Sequence, residues 1–276
     1  MAIVRKSGLS GKVGRTSHRM WRNLHVVQSI PGSGFMKQTA ETKKSATLFG
    51  KASALGREIR SLFNEIIIIS LYDGAMITRL TKALQALLEQ CFDKENLTYT
   101  FSEDSFERLG GFDFNLSSPL KDSMWILPDS SLSEGVVTVT LPELKIHEEF
   151  KFPVKTNKCT IHICVKFYNM EKGYRSEIEE EQTLDVSPEQ HLLEKQSFSF
   201  PVPEGCLCLV GISLRYYTFK YGTGLFNTKT FNPSGICGAF ITPGIFKKEK
   251  KWHWDKLTTP IAIFDKSATT DPASPR

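Results

Sequence analysis

The chain has 276 residues, 40% hydrophobic and 24% charged, proportions that exclude wholesale disorder and allow a sizeable core. Its net charge of +5 is unevenly spread: Met1 to Lys44 hold nine basic residues against the single acid Glu41, so this segment carries +8 and the remainder −3. The strongest apolar run, Ile66 to Ile69, is far too short to span a bilayer, and no secretory signal opens the chain, so the expectation is a cytoplasmic protein with no membrane span.

In chain order, Ser7 to Gly14 (S-G-L-S-G-K-V-G) is rich in turn formers and predicts a tight turn or looped ribbon. Leu24 to Ile30 predicts a short strand, ended by Pro31-Gly-Ser-Gly34. Leu48, Ala52, Leu55, Ile59, Leu62 and Ile66 then recur at three- and four-residue spacing, which predicts a helix, with Gly50 and Gly56 permitting close packing. After the Asp73-Gly74 turn signal, Ile77, Leu80, Leu84, Leu87, Leu88 and Cys91 predict a second helix antiparallel to the first. From Leu97 the period becomes two. Tyr99/Phe101, Phe112/Phe114, Val137/Val139/Leu141 and Ile161/Ile163/Val165 alternate with polar neighbours, and Cys206 to Phe219 is a long β-prone run. Gly110-Gly111, Pro128-Asp129, Glu134-Gly135 and Glu204-Gly205 punctuate these runs. Many short strands without helical spacers predict a β-sandwich.

The basic segment admits three readings: a polyanion-binding arm, a docking arm for an acidic partner, or a solvated face. Val13, Trp21, Leu24 and Val26 interrupt the charge, so part of it is expected to pack against something, and on a protein partner these apolar side chains should outweigh the charges. The candidate interaction residues are Lys12, Arg15, Arg19, Trp21 and Arg22, joined by Trp252 and Trp254 near the C-terminus. There Lys247, Lys248, Lys250 and Lys251 adjoin the tryptophans in a mixture that either binds nucleic acid or closes the sandwich.

Motifs for chemistry are missing. Gly11-Lys12 has neither the spacing nor the following Ser or Thr of a phosphate loop. Cys159, His162 and Cys164 sit on a predicted strand that would turn Cys159 away from the other two, which opposes a shared zinc. Gly32-Ser33-Gly34 is a linker, not a nucleophile elbow. The six cysteines are expected to be reduced, buried thiols. No catalytic, cofactor-binding or metal residue is assigned, and no cofactor is expected.

Gly8-Leu-Ser-Gly-Lys-Val-Gly14, Met20-Trp-Arg-Asn23 and Val27-Gln-Ser-Ile-Pro31, with Gly111-Phe-Asp-Phe-Asn115, Ser118-Pro-Leu120 and the Thr-rich Val136 to Pro142, resemble an uncharacterised bacterial family best known from Bacteroidota. The likeness covers about half the chain and is loosest after Asn169. The sequence departs from the family where Arg22-Asn23 stands in place of Lys-Gly, and it lacks a basic, Pro-rich approach to the first helix. The resemblance implies a domain of unknown function with no active site to carry over.

These readings combine into an α+β protein. Residues 1–95 form a basic ribbon and helical hairpin, 96–265 a mainly antiparallel β-sandwich, and 266–276 a frayed tail. The expected function is that of a non-enzymatic structural or interaction protein, an assembly module with a protein partner or a second copy of itself. The alternative is a nucleic-acid-binding protein using the basic N-terminal segment.

Overall fold

The computed structural model describes residues 2–5, 8–21, 24–30, 39–68, 71–176, 180–218 and 224–257. Arg22 and the tail predicted for 266–276 fall outside them. The fold class is α+β, and the chain divides into two units, Met1–Thr47 and Leu48–Arg276. The boundary thus falls near residue 47, not 95, because the helices share a core with the strands that follow them.

The first unit is an antiparallel meander of β1 (Ala2–Arg5), β2 (Gly8–Val13), β3 (Thr16–Trp21) and β4 (Leu24–Ser29). The glycine-rich stretch is therefore a strand. Gly8, Gly11 and Gly14 take φ of +116°, +114° and +56°, a region side chains rarely enter, so the ribbon can twist and turn only with glycine there.

α1 (Ala40–Leu62) begins before the boundary at residue 47 and, in the second unit, continues into the short α2 (Asn64–Ile67). The hairpin then closes through α3 (Met76–Gln90). Asp73 organises the corner: one carboxylate oxygen accepts the Ala75 amide at 2.7 Å, and the other accepts from Arg79 at 2.5 Å and from the Leu116 amide at 3.1 Å. Gly56 is the close-approach point between the helices, since a β-carbon there would stand 3.4 Å from Leu84. Gly50 faces open space and plays no such part.

The small hairpin β5 (Phe92–Asp93) and β6 (Thr98–Tyr99) follows, then β7 (Phe112–Asp113), β8 (Asp129–Ser133), β9 (Val136–Leu141) and β10 (Leu144–Lys145). Glu134 and Gly135 both have positive φ, as a two-residue hairpin between β8 and β9 requires. After α4 (Ile146–Glu149) come β11 (Lys158–Asn169), β12 (Tyr174–Ser176), β13 (Glu180–Val186), β14 (Leu192–Leu193), β15 (Gln196–Pro201), β16 (Leu207–Thr218), β17 (Gly224–Leu225), β18 (Ser234–Ile241) and β19 (Trp254–Lys256). A large antiparallel sheet runs β19-β12-β11-β16-β18-β7, with β13 also on β11 and β17 on β16, and a smaller sheet runs β15-β9-β8.

Three layers result. Ile161, Ile163, Val165 and Phe167 of β11 and Val210, Ile212 and Leu214 of β16 pack with Val137, Val139 and Leu141 of β9, forming the sandwich core. On the opposite face, Cys164, Tyr168, Leu207 and Leu209 pack with Leu55, Ile59, Phe63, Leu80 and Leu84 of the helices. The alternation in β11 reads as a strand with one wet face. The helices cover that face too, so His162 is 1% and Lys166 4% exposed. Gly211 is where the helices come closest: a β-carbon there would lie 2.5 Å from Phe63.

Candidate functional site

Three places gather polar or reactive side chains. The first is the buried row between helices and sheet. Register pairs His162 with Ser213 on one side and with Thr183 on the other. His162 Nε2 lies 2.5 Å from Glu181 Oε2, while His162 Nδ1 and Ser213 Oγ are buried without a hydrogen-bond partner. Burial holds the imidazole below its ordinary range, Glu181 pulls it back up, and Arg215 and Lys166 push it down. Burial likewise lowers the Lys166 ammonium. Ser, His and Glu side by side have the composition of a hydrolytic triad. The connection differs, since the carboxylate and the imidazole are joined while the hydroxyl stands apart. Ser213 is fully buried, so no substrate reaches it as the chain is folded here. Sequence reading weighed His162 only as a metal ligand. The strand pairing that brings it to Glu181 and Ser213 is a long-range fact that local pattern does not carry.

The second is a cleft of about 420 Å³ bordered by Tyr99, Phe101, Glu171, Cys206, Ile241 and Phe246. Its chemistry is poor: burial raises the Cys206 thiol and the Tyr99 phenol, leaving each protonated and a weak nucleophile. All six cysteines are free. Burial pushes Cys164 and Cys237 up to about 12 and raises Cys159 and Cys208 as well. Among the described residues no group of three or more His, Cys, Asp or Glu side chains is placed to hold a metal ion.

The third is the N-terminal sheet, whose register sorts its side chains by face. Lys12, Ser17, Arg19, Trp21, Leu24 and Val26 share one face. Leu9, Val13, Thr16, His18, Met20, His25 and Val27 share the other, where the His18 and His25 rings lie 5.5 Å apart. Among the described residues that second face carries no Lys, Arg, Asp or Glu, and its Val13, Met20 and Val27 are 45%, 41% and 54% exposed. Trp21, at 53%, and Leu24, at 62%, are exposed on the basic face. Arg15 stands exposed in the β2–β3 turn.

The two C-terminal candidates have separate fates. Trp252 is 3% exposed, edge-on to Phe167 at 5.1 Å, and belongs to the sandwich core. Trp254 is half-buried and edge-on to Phe246 at 4.9 Å. Neither presents an open ring on which a base could stack. No helix among the described residues is long and apolar enough to cross a membrane.

No protein-family model, curated protein or solved structure matches this chain.

Proposed function

We propose that this is a non-enzymatic assembly protein whose N-terminal sheet docks on a second copy of the chain. One observation carries the reading: among the described residues the sheet has a face without Lys, Arg, Asp or Glu, bearing exposed Val13, Met20 and Val27. A sheet gains stability by burying one face, and none of the residues in the two hydrophobic cores lies before Leu48. Sheets stack face to face at about 10 Å separation, and a two-fold pairing lets one patch serve as its own complement. The basic face is the poorer candidate for self-pairing, because Lys12 and Arg19 would meet their own copies and like charges repel. With the uncharged faces joined, those cations point outward.

A second reading has specific support. Lys12, Arg19 and Trp21 share a face, so a nucleic acid could meet cations and an aromatic ring together. Sedimentation over a range of concentrations, with duplex binding measured in parallel, tests both. The expected result is a dimer that Val27→Glu converts to monomer and that Arg15→Glu/Arg19→Glu leaves intact. A protein that stays monomeric at all concentrations, or a dimer indifferent to Val27→Glu, overturns the proposal. Salt-sensitive duplex binding that vanishes on the Arg15/Arg19 reversal supports the second reading.

A further inference from the structure

We propose a second, separate binding surface on the larger unit: a lysine-ringed aromatic stack that takes the phosphate backbone of a nucleic acid. Tyr174 of β12 and Phe246, which precedes β19, stack with centroids 5.7 Å apart and planes inclined by 23°. The Lys248 and Lys256 ammoniums lie 4.8 and 5.8 Å from the Tyr174 centroid, and that of Lys172 lies 5.6 Å from Phe246. Lys172 also donates to the Phe246 carbonyl at 3.4 Å. Lys251 rests 4.6 Å from the Trp252 ring, and Lys247 and Lys250 are exposed beside it.

None of these six lysines forms an ion pair with a carboxylate among the described residues. The nearby Asp255 is engaged by Arg175 at 2.8 Å. Among the described residues of these segments the other acids are Glu171 and Glu249, with Glu204 against Gly244, so the lysines outnumber the carboxylates around the stack.

The composition selects the ligand. Protein interfaces are depleted in lysine and enriched in arginine and exposed aromatics. Here the cations are lysines, and the one nearby arginine is occupied. Lysine is a compact point charge that neutralises phosphate without needing bidentate geometry. The aromatic rings are committed to each other and to the lysine stems, and Phe246 is 5% exposed. They hold the ammoniums in place and offer no free face to a base. Recognition is therefore of the backbone, independent of sequence and steep in salt.

The platform depends on a backbone position visible in the sequence only as a turn. Gly205 has φ +65°, and a β-carbon there would stand 2.6 Å from the Phe246 amide nitrogen. Glycine at 205 lets the Phe246 segment lie against the end of the sheet.

The experiment uses the full chain and a labelled random-sequence duplex of about 20 base pairs, titrated at several salt concentrations between about 50 and 200 mM. The variants are Lys172→Gln/Lys248→Gln/Lys256→Gln and, on the other unit, Arg15→Gln/Arg19→Gln. The three lysines are exposed, and circular dichroism confirms that the triple variant folds. The expected result is duplex binding that the triple variant weakens at least tenfold, with the log–log salt slope reduced by about 0.9 per lost contact. Tyr174→Phe keeps binding unchanged. Duplex binding that the lysine variant leaves intact, or no duplex binding at the lowest salt, overturns the proposal. So does binding confined to phosphatidylserine vesicles or a polyglutamate peptide.

Discussion

In the larger unit β11 is buried on both faces; in the N-terminal sheet β3 and β4 carry large apolar side chains in the open. Both units are antiparallel, and, although a few buried polar atoms such as His162 Nδ1 and Ser213 Oγ stay without a hydrogen-bond partner, the larger one ties many of its buried polar groups into networks. Its loops show how: Asn227 donates to the Leu214 carbonyl and to Asn232 Oδ1, both at 2.8 Å, and its own Oδ1 accepts the Tyr216 amide. The Asn232 amide in turn donates to Ser118 Oγ at 2.7 Å. Such buried, satisfied networks mark a core that folds for its own sake. The N-terminal sheet adds to its backbone pairing a few side-chain contacts, such as His25 Nε2 to the Leu9 carbonyl at 2.8 Å, while Val13, Met20 and Val27 stay exposed.

This contrast predicts very unequal mutational costs. Leu55 is fully buried between helix and sheet. Truncating it to alanine should cost about 2–5 kcal/mol, and for a unit of this size each kcal/mol lowers Tm by about 2–4 °C. Thermal melts followed by circular dichroism check it. An unchanged Tm would mean that the hairpin is not part of the cooperative core.

A smaller effect should come from pH, again in the larger unit alone. Unfolded histidine titrates near 6.5. In the fold, burial holds His162 lower, Glu181 of β13 pulls it up, and Arg215 of β16 and Lys166 of β11 push it down. As pH falls below about 6.5 the unfolded chain takes up a proton that the folded chain resists, so stability present at neutral pH is lost in that interval. Denaturant midpoints at about pH 7.5 and 5.5 should therefore differ, and His162→Gln should narrow the difference. Glu181→Gln removes the group that raises the imidazole and should widen it. A His162→Gln profile matching the parent places the acid sensitivity elsewhere.

The elements of this architecture were legible where local pattern decides them. The three- and four-residue spacing of Leu55, Ile59 and Leu62 gives the helix and its buried face, and Glu134-Gly135 gives a hairpin. The phase of β11 was legible too, but the cover on its second face was not, because period two is the same whether the polar side meets water or a helix. His162, Lys166 and Ser213 lie on the sheet face packed against α1 and α2, elements that precede them by 95 residues or more. The interaction residues divide in the same way. Their charge and apolar content are local facts. Which of them share a face depends on the strand registers, and those separate Val13 from Trp21, Leu24 and Val26. For Trp252 both readings, binding nucleic acid or closing the sandwich, stay open locally, because nothing nearby in sequence shows that Phe167 lies beneath it.

The smallest expected effect is the sharpest probe of the contrast. Trp21→Ala removes a side chain that is 53% exposed, and the Arg15→Glu/Arg19→Glu reversal alters two exposed cations. Surface substitutions of this kind usually change unfolding free energy by no more than about 0.5 kcal/mol, so neither should shift the main melting transition. Both lie off the uncharged face, so the dimer should survive both. Any duplex binding by the N-terminal sheet should weaken in each, through a lost ring in one and lost phosphate contacts in the other. If instead Trp21→Ala dissolves the dimer while Val27→Glu does not, the interface is the basic face. Lys12 and Arg19 would then need acidic partners across it, and since the described part of this sheet carries no carboxylate on either face, the partner would have to be a different protein.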